Sequence, residues 1–252
     1  MIILTHTKES LMNNLKNIGV DPTGILSVHL SYKAIGEVNG RADTVLDALM
    51  TYMQGGTLVL AGHTWDNVRT PNPVMDSLYT PTCVGICTEL FRKRKGVIRS
   101  LHPTHSILAL GKDAQYLTQG EEKATSPCPV GGTYHKLWEQ NAQILLIGVN
   151  FMRNTFIHGI EEWDAGGYNL SKEIENYYVI TPEGTRLHTP QYRHKSALGS
   201  RTFTKLEPAA IQKGILTLNK FGDATSRFML AKDIRTLTAE LLQQDMTYLQ
   251  TY

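Results

Sequence analysis

Four short and almost uninterrupted apolar runs, Ile25 to His29, Thr57 to Leu60, Ile107 to Leu110 and Ile144 to Val149, constrain this chain most strongly. A strand that is apolar on both faces must be covered on both faces, which only flanking helices do over a whole sheet. The intervening sequence supplies the helices. Thr7 to Ser10 precede Leu11, Leu15 and Ile18 at helical spacing, and Gly19 closes that segment. A second helix is expected from Ala42 to Met53, stopped by Gly55 and Gly56, and a third from Val84 to Arg94. The turn Ser126 to Gly132 leads into one containing Leu137 and Trp138, and Lys205 to Lys213 reads as a short one. The last, Ala231 to Tyr248, places Ile234, Leu237, Leu241 and Leu242 on one face for packing or for a dimer contact. After Asp164, Tyr177 to Thr181 and Arg186 to Thr189 flank Pro182-Glu-Gly184 as a β-hairpin. The expected fold is a single-domain α/β architecture, a mixed and mainly parallel sheet flanked by helices, with a small β-hairpin insertion.

With 252 residues and 41% hydrophobic content the chain can bury a substantial core. Its net charge of +2 comes from 25 basic and 23 acidic residues that are interleaved, which argues against a nucleic-acid stripe or a polybasic membrane patch. Arg92 to Lys95 reads as a solvated helix end, with anion binding as the lesser reading. Three cysteines, Cys83, Cys87 and Cys128, form neither a disulfide framework nor a zinc ribbon, and no metal is expected. His102 and His105 lack the further spaced ligands a metal site needs. The N-terminus has no basic region before its apolar run, and no later run reaches membrane-spanning length. A soluble, cytoplasmic protein is the expectation.

In open α/β sheets a site lies beyond the strand C-termini. His29, Asp66 and Asn150 all sit at such ends. The stretch Ile144 to Asp164 carries the strongest signal: a buried strand, a polar turn at Asn150 and Asn154, then a helix that Asn154 or Thr155 can cap, with His158, Glu161 and Glu162 in its first two turns. His158 and Glu161, three apart, share a helical face. A carboxylate that near an imidazole fixes its tautomer and favours its charged form, which suits general base chemistry; a solvated surface pair is the plain alternative. The segment His29 to Asp43, strand to loop to helix, can offer free backbone N–H groups to an anion, with Lys33 adding charge, or be an ordinary connection.

Read together, several segments resemble the aminoglycoside 3-N-acetyltransferase family, antibiotic N-acetyltransferases distinct in fold from the common GNAT enzymes. They are His29-Leu-Ser31 with Ile35-Gly36, Gly55-Gly-Thr-Leu58, Thr80-Pro-Thr82, Gly85 with Glu89-Leu-Phe-Arg92, and Arg99-Ser-Leu-His-Pro103 with Ser106. Ser126-Pro-Cys128, Leu145-Leu-Ile-Gly148, Asn154-Thr155 with His158 and Glu161, and Gly222-Asp-Ala224 continue the series to about Leu242. The resemblance implies acetyl-CoA as cosubstrate and a small-molecule amine as acceptor. His158 matches the family's catalytic histidine and Glu161 its carboxylate partner, while Asp66 falls where family members carry acidic residues near the amine. His29, Ser31, Tyr32 and Lys33 would line the cofactor, with Arg99, Ser100, Ser106 and Thr155 as further contacts. His102 lies in the family's His-Pro motif, where a structural or cofactor-positioning role competes with a chemical one. Direct transfer is expected over an acyl-enzyme, because no cysteine adjoins the His–Glu pair in sequence.

Two departures bear on the acceptor. The loop from Asn67 to Pro81 is short and carries only Asp76 beyond Asp66, and Pro190-Gln-Tyr-Arg-His-Lys195 is basic where family members often carry an acidic or His-Cys sequence. A polycation needs several paired carboxylates, so the expected acceptor extends to an amine bearing phosphate or carboxylate. A hydrolase using His158 with Asp66, and a CoA-binding module without catalysis, are the competing readings.

Overall fold

The computed structural model describes residues 5–195 and 199–251, so the first four residues of the N-terminal apolar run lie outside it. The chain opens with α1 (Lys8–Ile18), whose capping box joins Thr7 and Ser10 reciprocally and whose end is turned by Gly19 at φ 90°. Next come β1 (Ile25–Leu30), a short 3-10 turn at Tyr32–Ala34, α2 (Arg41–Tyr52), β2 (Thr57–Ala61) and β3 (Val74–Asp76). Then follow α3 (Ile86–Arg92), β4 (Ile98–Arg99), β5 (Ile107–Gly111), α4 (Ala114–Thr118), α5 (Thr133–Glu139) and β6 (Gln143–Ile147). The remainder is α6 (Thr155–Asp164), β7 (Tyr178–Ile180), β8 (Arg186–His188), α7 (Leu206–Gln212), β9 (Thr217–Phe221), β10 (Ala224–Leu230) and α8 (Ala231–Gln244).

The main sheet has the order β4-β5-β2-β1-β6-β10-β9. Its centre, β2-β1-β6, is parallel, while β5 and β10 run against their neighbours, so five of the seven strands point one way. The centre is where strands must be covered on both sides, and there the side chains alternate between two cores. Ile25, Val59, Ile144 and Leu146 face the helices α4 to α8, whereas Leu26, Leu58, Leu60, Leu145 and Ile147 face α1, α2 and α3. The apolar runs show no alternation because both faces are inside.

The expected hairpin is β7-β8, and β3 joins it in parallel to make a second, three-stranded sheet over a small cluster of Val68, Met75, Tyr177 and Val179. The loop expected from Asn67 to Thr82 therefore contributes a strand. β10 and α4 add elements that the apolar pattern did not announce. No helix among the described residues is long and apolar enough to cross a membrane.

Candidate functional site

The parallel strands β1, β2 and β6 end at one edge of the sheet and deliver His29, His63 and Val149 to a cavity of about 680 Å³. Its wall is completed by Trp65, Cys83, His105, Met152, Arg153, Thr155, His158, Arg193 and His194, among others. The rim lies where a parallel sheet opens between diverging connections.

α6 carries the expected His158–Glu161 pair. It follows β6 through Gly148, which at φ +65° packs so close to Ala34 that a Cβ would lie 2.3 Å from the Ala34 Cβ. Neither expected side chain caps the helix: the Asn154 side chain makes no capping bond and lies against Met229 Sδ, 4.0 Å away. One turn on, His158 Nδ1 lies 2.7 Å from Glu161 Oε2. Glu161 is buried, and its remaining acceptor capacity is taken by the Asn169 amide, 2.8 Å to Oε2, and by the Tyr168 hydroxyl on Oε1. A carboxylate only accepts, so Nδ1 carries the proton and the lone pair is left on Nε2 of a ring that lines the cavity. Tyr168 and Asn169 were not singled out from the sequence; their signal is Gly166-Gly167, a turn that folds the chain back over α6.

Glu162, the next residue, serves a different set. Its Oε1 accepts the Cys128 backbone N–H at 3.0 Å and lies 2.8 Å from His194 Nε2, and Ser126 Oγ bonds Oε2. Burial pushes its carboxyl up to about 7 against the lowering effect of those donors. The His194 ring stacks on His158 with centroids 4.3 Å apart and planes tilted by 31°. His194 also meets His105 edge-on at 5.3 Å, and His105 meets His63 at 4.8 Å, so imidazoles run along one wall. Burial holds His63, His105 and His194 well below the usual histidine range and His29 at about 4. This wall is neutral at physiological pH. Cys128, Glu162 and His194 bring ligand-type atoms within 4.8 Å of one another, but the carboxylate and the imidazole of that trio are already bonded to each other.

Several expected site residues stand elsewhere. Arg99 spends its guanidinium inside the protein, on Ser106 Oγ at 3.1 Å, Thr80 O at 2.6 Å and Gly62 O at 2.9 Å. Ser106 Oγ donates to Gly62 O at 2.6 Å, and Ser100 Oγ accepts from Ile107 N at 3.0 Å. These three tie the ends of β2, β4 and β5 together, and none of them lines the cavity. Their hydrogen bonds form a clamp beneath the site. His102 is likewise fully buried, with Nδ1 accepting the N–H groups of Thr104 and His105 and Nε2 donating to Ser126 O. Both ring nitrogens are used, so it shapes the turn that presents His105.

Asp66 also stands outside the cavity wall. Its side chain is 58% exposed, pairs with Arg69 at 3.5 Å and does not line the cavity, whereas Trp65 does. Ser31, Tyr32 and Lys33 occupy the 3-10 turn beyond β1 and its lead-in, outside the cavity wall; Ala34 borders a second depression with Gly148, Asn150, Arg153, Thr225 and Arg227. Thr155 and His29 line the cavity itself.

Residues 28–243 match the model of a family described as aminoglycoside 3-N-acetyltransferase. The chain is 31% identical over 177 residues to the SPbeta prophage-derived aminoglycoside N(3')-acetyltransferase-like protein YokD of Bacillus subtilis (strain 168), covering 61% of this chain and 64% of that protein. It is 27% identical over 173 residues to aminoglycoside N(3)-acetyltransferase III of Salmonella sp, covering 62% and 60%. These matches span less than two thirds of either relative. Among solved structures, a variant of aminoglycoside acetyltransferase AAC(3)-IVa in complex with a gentamicin superposes with a TM-score of 0.86 at 21% identity, over 99% of this chain and 93% of that one. AAC-IIIb in a binary complex with CoASH gives 0.84 at 21% identity, over 96% and 97%. The matched segment includes the C-terminal half of β1, the whole of β2 and β6, and the helix that bears the His–Glu pair, and by it the chain belongs to the aminoglycoside 3-N-acetyltransferase family.

Proposed function

We propose that this protein transfers an acetyl group from acetyl-CoA directly to a primary amine, with His158 as general base and Glu161 as its orienting carboxylate. The observation that carries the reading is the 2.7 Å His158–Glu161 contact on the cavity wall, with Glu161 immobilised by Tyr168 and Asn169. The family membership and a neighbour of the same fold bound to CoASH support the cosubstrate.

The amine must be uncharged to attack the thioester carbon. As its C–N bond forms, His158 Nε2 takes the proton; as the tetrahedral intermediate collapses, the C–S bond breaks and the proton passes to the departing thiolate, giving CoASH. The oxyanion is met by N–H groups at the start of α6 or by the Thr155 hydroxyl, at the cavity wall. A cysteinyl intermediate is disfavoured: burial raises the Cys128 thiol well above its ordinary value and that of Cys83 as well.

The acceptor is read as an amine bearing an anionic group. Among the described residues that line the cavity are Arg153 and Arg193 and no carboxylate; Arg193 is paired with Glu175 at 3.6 Å, which leaves Arg153 as the cation without an ion pair, and Asp66 is paired with Arg69. A polycation would enter unpaired.

The test is thiol release from acetyl-CoA over a panel of aminoglycosides and of amines carrying phosphonate or carboxylate. Wild type should turn over an anionic amine with higher kcat/KM than any aminoglycoside, and His158→Ala should lose about 10²–10⁴-fold in kcat. Turnover by His158→Ala within a few-fold of wild type would remove the base assignment. Efficient acetylation of several aminoglycosides would remove the acceptor class.

A further inference from the structure

Glu161 and Glu162 are consecutive on α6, so they leave the helix about 100° apart, and each holds a different imidazole. The first serves His158. The second, bonded to the Cys128 N–H and Ser126 Oγ, fixes His194 at 2.8 Å, and His194 in turn lies over His158 with centroids 4.3 Å apart. Glu162 and His194 are engaged in nothing that the transfer scheme above requires. Their burial is costly unless it is used.

We propose that His194, held by Glu162, is a positioning residue that stabilises the imidazolium His158 becomes when it takes the acceptor's proton. The inference rests on His158 being the base. Where Glu162 is ionised, His194 gives its Nε2–H to that carboxylate and the ring is electron-enriched, so that a cation stacked on its face is stabilised. For this His194 must stay neutral while His158 charges; its burial disfavours the charged form, and a protonated His158 disfavours it further. Among the described residues, His194 also faces His105, His102 and His63, whose charged forms burial disfavours, and the Cys128 thiol, whose ionisation burial disfavours. The Phe203 ring packs edge-on against His158 at 4.7 Å and covers part of it, leaving the side chain 15% exposed. Since the stacking gain appears only once His158 is charged, it lowers the barrier to proton transfer without tightening substrate binding.

The experiment needs no acceptor. The His158 imidazole resonance, assigned by its disappearance in His158→Ala, is titrated by NMR in wild type, in Glu162→Gln, and in the double variant His194→Leu/Glu162→Gln, which keeps apolar volume without leaving an unpaired carboxylate. His158 should titrate about half to one pH unit lower in the double variant, corresponding to about a three- to tenfold loss, and less far in Glu162→Gln. Where an acceptor is in hand, kcat should fall with KM held within twofold. If the double variant fails to fold, Glu162→Gln decides alone. An unmoved His158 titration overturns the proposal, and does so separately from the activity of His158→Ala, which decides the base.

Discussion

Arg99 illustrates how a residue's chemistry is legible in the sequence while its partners are set by the fold. A cation next to Ser100 and Ser106 in sequence suits a phosphate, yet folding turns the guanidinium onto Gly62, Thr80 and Ser106. Burial lowers it to about 10, still charged throughout the physiological range. Arg99→Ala should therefore cost about 2–4 kcal/mol in denaturant unfolding, by orphaning buried carbonyls, while the Kd for acetyl-CoA measured on the folded variant stays within twofold of wild type. A large loss of CoA affinity without loss of stability would restore it as a cofactor contact. His158 and Glu161 were legible because three-residue spacing on a helix is local geometry. Their supports Tyr168 and Asn169 sit beyond the helix end, where no periodicity reaches.

At the level of elements, the site depends on how β6 hands over to α6. Gly148 there adopts a left-handed conformation against the turn that follows β1, and its N–H bonds Thr225 O at 2.9 Å in β10. Gly148→Ala combines a φ penalty with a clash against Ala34, so a loss of about 2–4 kcal/mol is expected, together with a raised KM for acetyl-CoA as the turn beyond β1 is displaced. Thermal melting and CoA titration check both; an unchanged Tm would mean that the turn yields freely. The strands of the sheet centre could be found from composition alone, as runs buried on two faces. β10 could not, because Thr225, Ser226 and Arg227 interrupt its apolar residues although Ala224 and Met229 reach opposite cores.

Across the whole molecule, the titration of buried groups sets a pH dependence. His29, His63, His102, His105 and His194 all have folded-state values below the ordinary 6.5, so the unfolded chain binds more protons there and stability rises with pH through the window from about 4 to 6.5. Glu121 and Glu162, raised by burial to about 7, act the other way between about 4.5 and 7. The histidines outnumber these carboxylates. The Tm should therefore fall by several degrees between pH 7.5 and 5.5, and Glu121→Gln should steepen that fall by removing an opposing group. A Tm that is flat or rising on acidification would show that these histidines take up protons without unfolding.

The sequence by itself determined the layers and the edge at which the candidate site lies, because apolar runs without alternation demand cover on both faces and strand ends in such a sheet converge on one rim. It also determined the His158–Glu161 pair, a contact within one helical turn. Only the tertiary structure decided which distant polar residues join them. It turned Arg99, Ser106 and His102 inward, left Asp66 on Arg69, and brought His194 across 32 residues to Glu162. The physical reason is that a polar side chain's role follows from the partners available where it is buried, and those partners come from parts of the chain whose spacing carries no period.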